Sequence, residues 1–223
     1  MVVQPRTDLL SWEREVWEDG YLCVAGVDEV GRGALAGPLV AAAVILPQTV
    51  TAPSASESGW SAVRDSKTLS HIRRLFLAEW ILEQGAVASI AEVSCTELDT
   101  IGVAAANRMA MERAVFGLVV DADMLLIDAM TIDLDAPQIG IIDGDAQSLS
   151  IAAASIIAKV HRDGLMVDLD QIYPAYGFAR HKGYGVPAHL AALANHGPCI
   201  HHRHSFGPVR LAAIKHGNNQ ALN

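Results

Sequence analysis

Runs of apolar residues, bounded by glycine, proline or charged residues, recur along the chain and predict short buried strands. Five such runs, rich in Val, Ile, Leu and Ala, span 22–30, 38–46, 86–94, 124–128 and 139–142. The remaining apolar periodicity predicts helices at 8–20, 70–83, 96–118, 148 to about 170, and 187–195. This order of elements is typical of an α/β domain with a mixed five-stranded sheet flanked by helices, which binds ligands near its strand ends.

Capping and breaking residues refine the predicted helices. Ser70 is suited to cap the helix that follows it, and Pro187 to begin another. Gly102 weakens the first turns of its helix, and Gly164 is expected to bend or break the long one. The C-terminal segment 171–223 is otherwise rich in Gly, Pro and His, so the helix at Pro187 is the one predicted there, in a small helical C-terminal region.

The composition excludes a disordered chain and favours a single domain. Of the 223 residues, 51% are hydrophobic and 18% are charged, whereas disordered chains are poor in apolar residues and rich in charge. This length predicts one domain over 1–223, with an N-terminal helix within 1–20 and a C-terminal region from about 171. Phe, Trp and Tyr occur four times each, so an aliphatic core is expected.

No segment is typical of a membrane or secreted protein. The longest apolar run, 34–46, is too short to cross a bilayer. The first 20 residues carry seven charged side chains, where a signal peptide needs an apolar stretch. Three widely separated cysteines form no disulfide framework and suit a reducing compartment. We expect a cytoplasmic protein without a membrane partner and, since no coiled-coil pattern is present, a monomer.

Charge is distributed unevenly along the chain. The net charge of −9 argues by itself against a nucleic-acid partner. Residues 171–223, however, contain no Asp or Glu, five Lys or Arg, and seven of the nine His, which leaves −14 on residues 1–170. This split suits an acidic body that holds cations and a basic region that lies along a polyanion. It is equally compatible with a merely uneven surface.

Acidic residues follow three of the predicted strands. Asp28 and Glu29 end the first strand, and Asp128 ends the fourth. Asp143 and Asp145 follow the fifth. Each acid alone could be an ordinary turn residue, but carboxylates from three strand ends would repel one another at a shared edge, and divalent cations would relieve that repulsion. Ligand sets made only of oxygen favour Mg²⁺ or Mn²⁺ over Zn²⁺.

The geometry of a strand sets a condition on this site. Adjacent strand residues point to opposite faces, so Asp28 and Glu29 can share a site only where the strand ends or kinks. Gly31 and Gly33 would permit such a kink.

Cysteine and histidine residues near the C-terminus suggest a second metal site. The cluster lacks a further ligand pair at the usual zinc spacing, so surface or phosphate-contacting histidines are the favoured interpretation. Its members are Cys199, His201, His202 and His204.

The residues around the acids resemble the motifs of the bacterial ribonuclease HII family. Segment 24–39 (VAGVDEVGRGALAGPL) is similar to the opening motif of the family, and 65–70 (DSKTLS) to its D-S-K-x-L-S segment. Residues 126–128 (LID) resemble the third acidic motif of the family. Residues 144–145 (GD), with the helix that follows them, resemble the fourth. The C-terminal motifs resemble 181–185 (HKGYG) and 202–206 (HRHSF). The resemblance covers roughly residues 20–210.

This resemblance implies a ribonuclease-H-like fold and an endonuclease that acts on RNA–DNA hybrids and on single ribonucleotides embedded in duplex DNA. It implies cleavage on the 5′ side of the ribonucleotide, leaving a 3′-hydroxyl and a 5′-phosphate. The carboxylates that it carries over as catalytic and metal-binding are Asp28, Glu29, Asp128 and Asp145. Two Mg²⁺ or Mn²⁺ ions would then activate water and stabilise the departing 3′-oxygen, and no side-chain base is required. Asp28 would bridge the ions, Asp145 would complete the water-activating site, and Glu29 and Asp128 would surround the other ion.

The resemblance also implies contacts to the nucleic acid. Main-chain groups of Gly31-Arg32-Gly33 would contact the ribose 2′-hydroxyl, with Arg32 on a phosphate, and Tyr184 would stack on the next deoxynucleotide. Further phosphate contacts would come from Lys67, Ser155, Lys182 and Arg203. Without the resemblance, Gly-Arg-Gly would be a simple turn and Tyr184 could be a core residue.

Two positions depart from the family pattern. Ala129 stands where a glycine often follows the third acid, and Asp143 where a lysine often stands two residues before the fourth. On an extended segment Asp143 and Asp145 would share a face, so Asp143 could change metal affinity or act as a fifth ligand. Another two-metal nuclease of the same fold, or a non-catalytic nucleic-acid-binding module, remain the alternative functions.

Overall fold

The five predicted strands form one sheet. The structure, a computed structural model, describes residues 8–50, 59–64, 66 and 69–220, with side chains described as far as residue 216. Its strands are β1 (Val24–Val30), β2 (Leu39–Ile45), β3 (Val87–Val93), β4 (Met124–Asp128) and β5 (Gln138–Ile141). They are hydrogen-bonded in the order β3-β2-β1-β4-β5. The predicted α/β class with a mixed five-stranded sheet and flanking helices is confirmed.

Parallel pairing in the middle of the sheet determines where the acids lie. β1 pairs in parallel with β4, in a register that runs from Val24–Met124 to Val27–Ile127. β4 pairs in parallel with β5 and places Asp128 opposite Ile141. The C-terminal ends of these three strands therefore lie at the same edge of the sheet.

Eight α-helices occur within the described ranges. They are α1 (Ser11–Glu18), α2 (His71–Glu83), α3 (Cys95–Ile101), α4 (Val103–Phe116), α5 (Leu149–Ile172), α6 (Phe178–His181), α7 (Pro187–His196) and α8 (Gly207–Gln220). Ser70 caps α2 as predicted, because its hydroxyl accepts the Arg73 N–H at 3.3 Å. None of the helices in this part of the chain is long and apolar enough to cross a membrane.

Three helix predictions differ from the structure. The helix predicted at 96–118 is two helices, because Gly102 adopts φ +83° between α3 and α4. Gly164, in contrast, interrupts nothing, since α5 continues through this exposed position. A mid-helix glycine costs only about 1 kcal/mol, which the packing of a long helix outweighs. In the C-terminal segment α6 and α8 were not predicted, and α8 is anchored by the apolar contacts of Val209 and Ala212 rather than by a marked apolar face.

The chain divides into two compact units. The first comprises Met1–Val30, Ala41–Ala91 and Arg108–Val160, and the second Gly31–Val40, Glu92–Asn107 and His161–Asn223. In the first unit an aliphatic cluster joins α1, β1, β4, β5 and the start of α5. A cluster in the second unit includes the stacked rings of Tyr176 and Phe178. Among the described residues these two are the aromatic side chains of an otherwise aliphatic buried core, so the expectation of an aliphatic core is confirmed. The single domain predicted over 1–223 stays a prediction.

Candidate active site

Three of the predicted carboxylates form a compact group at the sheet edge. One carboxylate oxygen each from Asp28, Glu29 and Asp128 lies within 4.8 Å of the others. Asp28 is only 5% exposed, while Glu29 and Asp128 are half-buried. The three acids thus lie together because they lie at the C-terminal ends of the neighbouring parallel strands β1 and β4.

Asp28 and Glu29 share a group although β1 continues past them to Val30, so the condition that the strand must end or kink at these residues was too strict. The register of β1 with β4 runs no further than Val27. Beyond it, the backbone N–H of Glu29 donates to Oδ1 of Asp28 at 2.7 Å. The two neighbours consequently contribute to one group, although they lie side by side in a strand.

The fourth predicted acid, Asp145, lies in a turn that is tied to this group. It belongs to a 3-10 helix, Gly144–Ala146, and is 6% exposed. The N–H of Gly144 donates to Oδ1 of Asp128 at 2.7 Å. Asp145 is outside the group of three, but its charge contributes to the raised pKa of Asp28.

The electrostatics of the group favour a bound cation. Burial raises the pKa of Asp28 well above its usual value, and the charges of Glu29, Asp128 and Asp145 raise it further, against a hydrogen bond from Ser155 that lowers it. Carboxylates held this close carry a repulsion that a divalent cation would remove. A donor set made only of carboxylate oxygens suits Mg²⁺ or Mn²⁺. The residues present therefore fit the predicted metal chemistry.

Ser155 does not fit its predicted role as a phosphate contact. It is 5% exposed, it hydrogen-bonds to Asp28, and its Oγ lies 2.9 Å from Oγ of Ser66. Because the Asp28 carboxylate accepts, Ser155 donates to it, and Ser66 then donates to Ser155. The structure gives Ser155 the role of orienting Asp28.

The extended geometry assumed for Asp143 is wrong. Asp143 has φ +51°, a left-handed conformation, and caps the 3-10 helix that contains Asp145. Its side chain is exposed whereas that of Asp145 is buried, so the two do not share a face. Aspartate tolerates this conformation better than most residues, and the geometry does not support a fifth ligand at this position.

Two buried arginines support the segment that follows β1, residues 31–38, which we call the glycine loop. Arg162 donates to the carbonyls of Ala36 at 3.0 Å and Pro38 at 2.9 Å. Arg203 donates to the carbonyl of Gly37 at 3.1 and 2.9 Å and to that of Arg32 at 2.9 Å. Both side chains are fully buried, so the loop is held from inside by charge-assisted hydrogen bonds.

Positions 31 and 33 of the glycine loop differ in how strictly they require glycine. Gly31 has φ +87°, and a Cβ added there would lie 2.1 Å from Nε of Arg162. At Gly33 a Cβ would meet nothing within 4 Å. Gly31 is therefore irreplaceable for the loop conformation, whereas Gly33 and Arg32 are exposed and available to a ligand.

Arg203 is misassigned by the sequence as a phosphate contact. A side chain with no exposed surface does not reach a phosphate, and its guanidinium is engaged with loop carbonyls. Burial lowers its pKa to about 10, which leaves it charged at neutral pH. Its role in the structure is to hold the glycine loop.

The remaining predicted contacts lie in different surroundings. Tyr184 is half-buried, with the guanidinium carbon of Arg162 5.5 Å from its ring centroid. Lys182 is half-buried at φ +54°, and its carbonyl accepts a hydrogen bond from Arg162 at 2.9 Å. Arg162 therefore links the glycine loop to the segment that carries Tyr184. Lys67 lies outside the described residues.

Of the cysteine–histidine cluster, His202 is buried and bound to its neighbours, whereas His204 is exposed. Nδ1 of His202 accepts the Cys199 N–H at 3.0 Å, and its Nε2 lies 3.0 Å from Nε2 of His189. Burial lowers the pKa of His202 to about 3, so the ring is neutral. These contacts favour packing over zinc binding, as the sequence indicated.

Two charged residues of the site region were missed by the sequence analysis. Arg162 lies within α5, and nothing in the sequence around it distinguishes it from a surface arginine. Glu13 is fully buried, and it could have been found because it lies three residues before Val16, on the apolar face of α1.

Comparison with known proteins gives consistent results. The sequence model of a family described as Ribonuclease HII matches residues 25–209. A ribonuclease HII from Desulfitobacterium hafniense strain DSM 10664 / DCB-2 is 49% identical over 203 residues, 91% of this chain and 75% of that relative. One from Geotalea uraniireducens is 46% identical over 208 residues, 93% of each chain.

Solved structures show the same fold. The ribonuclease H2 of Pyrococcus horikoshii OT3 matches with a TM-score of 0.73 and 24% identity, over 86% of this chain and 97% of that one. Bst-RNase HIII, solved in complex with Mn²⁺, matches with a TM-score of 0.63 and 19% identity, over 88% and 71% of the two chains. These likenesses confirm the fold that the sequence motifs implied.

Proposed function

Because the chain belongs to the ribonuclease HII family, we propose that it hydrolyses the phosphodiester bond 5′ to a ribonucleotide. Membership makes it a metal-dependent endoribonuclease of the ribonuclease H type. The proposed substrates are RNA–DNA hybrids and single ribonucleotides embedded in duplex DNA. The proposed products carry a 3′-hydroxyl and a 5′-phosphate.

The observation that carries this proposal is the carboxylate group at the sheet edge. Asp28, Glu29 and Asp128 lie within 4.8 Å of one another, and Asp145 lies near enough to raise the pKa of Asp28. Asp28 is the most buried of the three grouped carboxylates and the charges of the other three acids act on it, which supports it as a ligand that both ions would share. Asp145 would complete one ion's ligand set, and Glu29 with Asp128 the other's.

The chain's own residues prepare this group for metal. Two divalent cations, Mg²⁺ or Mn²⁺, supply when bound an activated water and a stabilised leaving oxygen. Ser155 donates a hydrogen bond to the Asp28 carboxylate, and the N–H of Gly144 donates to that of Asp128, so both carboxylates are held by donors of the fold. Oriented carboxylates lower the reorganisation needed at each turnover, which is how supporting hydrogen bonds contribute at metal sites.

The proposed recognition of a ribonucleotide rests on the glycine loop. Exposed backbone at Gly33 can approach a 2′-hydroxyl more closely than any residue with a side chain allows. Arg32 is exposed and would contact a phosphate, together with Lys182 and Lys67. Tyr184 would stack on the sugar of the following deoxynucleotide, where a second 2′-hydroxyl would clash, so the enzyme would recognise a junction rather than a base sequence.

The test uses duplex DNA with one embedded ribonucleotide, labelled at the 5′ end of the cut strand. The purified protein is incubated with it in Mg²⁺, in Mn²⁺ and in chelator, beside an RNA–DNA hybrid and an all-DNA duplex of the same sequence. We expect one metal-dependent cut on the 5′ side of the ribonucleotide and none in all-DNA. Cutting of the all-DNA duplex would indicate a different two-metal nuclease, and binding without any cut would indicate a non-catalytic module. Either result contradicts the proposal.

A further inference from the structure

A carboxylate on the N-terminal helix reaches the start of α5. Glu13 is fully buried in α1. Its Oε1 accepts hydrogen bonds from Oγ of Ser148 at 2.6 Å and from Oγ and N of Ser150 at 2.6 and 2.8 Å. Three donors from one short segment therefore converge on a single oxygen atom.

These donors belong to the first turn of a helix. α5 begins at Leu149, so the N–H of Ser150 is one of those without an acceptor inside the helix. A carboxylate at this position satisfies that donor and interacts favourably with the helix dipole. The N–H of Leu149 also donates across to the carbonyl of Leu9 at 2.8 Å. The start of α5 is therefore capped from outside by the Glu13 side chain of α1 and by the backbone of Leu9, just before α1.

The same contacts fix the turn that carries Asp145. The N–H of Ser148 donates to the carbonyl of Gly144 at 2.8 Å, and the N–H of Gly144 donates to Asp128. The turn is thus held at one end by a metal-site carboxylate and at the other by the serines that Glu13 binds. The start of α5 also packs closely on β1, since a Cβ on Gly26 would lie 2.1 Å from the backbone of Ser150.

Burying the carboxylate of Glu13 costs free energy, and a role in packing alone does not explain why a carboxylate stands at this position. Its Oε2 is buried and, within the described residues, has no hydrogen-bond partner. Burial raises its pKa, and an apolar residue of similar size would avoid this penalty. Moreover, α1 precedes the segment 25–209 that matches the family model, so the match does not account for Glu13.

We propose that Glu13 is a positioning residue for the metal site, which holds Asp145 in place through Ser148 and Ser150. This inference rests on the proposed role of Asp145 as a metal ligand. Glu13 touches neither metal nor substrate and acts through the turn Gly144–Ala146. The N-terminal helix is accordingly part of the machinery that sets metal affinity.

The test compares Glu13→Ala with Val16→Ala, a matched control that removes a buried side chain from the same helix. Val16 is 2% exposed and packs in the core cluster, away from the serine hydroxyls. Mn²⁺ binding is measured by calorimetry without nucleic acid, and amide exchange of residues 144–152 without metal. We expect the Mn²⁺ dissociation constant to rise about tenfold in Glu13→Ala, as for other residues that orient metal ligands, and faster exchange confined to that turn. Val16→Ala should change neither, although it also lowers the melting temperature.

Glu13→Gln provides the conservative rescue. Glutamine keeps an oxygen atom that accepts from the same three donors, so its Mn²⁺ affinity should stay within about threefold of wild type. Equal weakening in Glu13→Ala and Val16→Ala would overturn the inference, because Glu13 would then be merely structural. Failure of wild type to bind Mn²⁺ or to cut would instead overturn the proposed function, and amide exchange would still decide whether Glu13 holds the turn.

Discussion

The buried carboxylates at the sheet edge and the buried arginines that support the glycine loop have opposite electrostatic surroundings. Asp28 is 5% exposed and lies beside two further carboxylates within 4.8 Å, so its neighbours have the same sign. Arg162 and Arg203 are fully buried, but their guanidinium groups donate to backbone carbonyls at 2.9–3.1 Å. The charge of each arginine meets neutral carbonyl acceptors, whereas the charge of Asp28 meets further carboxylates.

This difference distinguishes residues that bind a ligand from residues that stabilise the fold. A buried charge with satisfied hydrogen bonds stabilises one conformation and needs no ligand. Buried charges of one sign that face each other are unfavourable until a counter-ion binds, and perturbed groups of this kind mark functional sites. This contrast supports the proposed place of Asp28 in the reacting centre, while the hydrogen bonds of Arg203 support the glycine loop.

The largest effect is expected for Asp28→Asn. Loss of a metal-holding carboxylate should lower the cleavage rate by roughly 10³-fold or more. Affinity for the duplex, measured by fluorescence anisotropy in chelator, should stay close to wild type because the glycine loop is unchanged. A variant that cuts at nearly the wild-type rate would remove Asp28 from the site.

Arg203→Lys tests whether the buried arginines stabilise the fold. Lysine keeps the charge but cannot reach both Arg32 and Gly37 carbonyls in the same geometry. Unsatisfied buried carbonyls should lower the free energy of unfolding by about 2 kcal/mol, measured by urea denaturation. Arg210→Lys, at an exposed position, is the control and should change stability little. Equal stability of Arg203→Lys and wild type would contradict the role of Arg203 as loop support.

A smaller gain in stability is expected for Ala129→Gly, beside the acidic group. Ala129 has φ +57°, a left-handed conformation that costs a residue with a Cβ about 1–2 kcal/mol. Part of this is offset by the greater freedom of glycine in the unfolded chain, so the net stabilisation should be about 0.5–1 kcal/mol. Ala122→Gly, at a position without positive φ, should destabilise slightly under the same denaturation protocol. Destabilisation in both variants would mean that Ala129 is not strained.

The smallest effect is expected for Asp143→Asn. Its side chain is exposed and outside the carboxylate group, and asparagine also tolerates the left-handed conformation. Cleavage rate and the Mn²⁺ concentration for half-maximal activity should change less than about twofold, within the range for an exposed charge far from any partner. A loss approaching that of Asp28→Asn would restore Asp143 as a fifth ligand.

Much of the fold and the acidic group could be predicted because both depend on local pattern. β4 has the predicted bounds, 124–128, since an apolar run ending in Asp128 specifies a buried strand and its end together. The acids at the ends of β1 and β4 meet because these strands pair in parallel, which the predicted mixed sheet allowed but did not require. The effect of a glycine on a helix was harder to predict, since Gly102 separates two helices and Gly164 lies within one.

Buried polar residues could not be predicted because their partners are remote in sequence. Arg203 binds the carbonyl of Gly37, 166 residues away, and nothing near Arg203 distinguishes it from a surface arginine. Ser155 looks like a phosphate contact until Asp28 and Ser66 are seen beside it. Asp143 leaves the extended conformation at one residue, with φ +51°, and the alternation of strand residues does not reveal such a local change.

The central claim, that the carboxylate group is unfavourable until cations bind, is tested most directly by thermal unfolding of wild type and Asp28→Asn in chelator and in Mn²⁺. In chelator, Asp28→Asn should melt above wild type, by about 4 °C or less for each kcal/mol of repulsion removed in a chain of this size. In Mn²⁺ the order should reverse, because binding to the folded state stabilises wild type more than the variant. If Asp28→Asn melts at or below wild type in chelator, and Mn²⁺ raises both melting temperatures equally, the claim is contradicted.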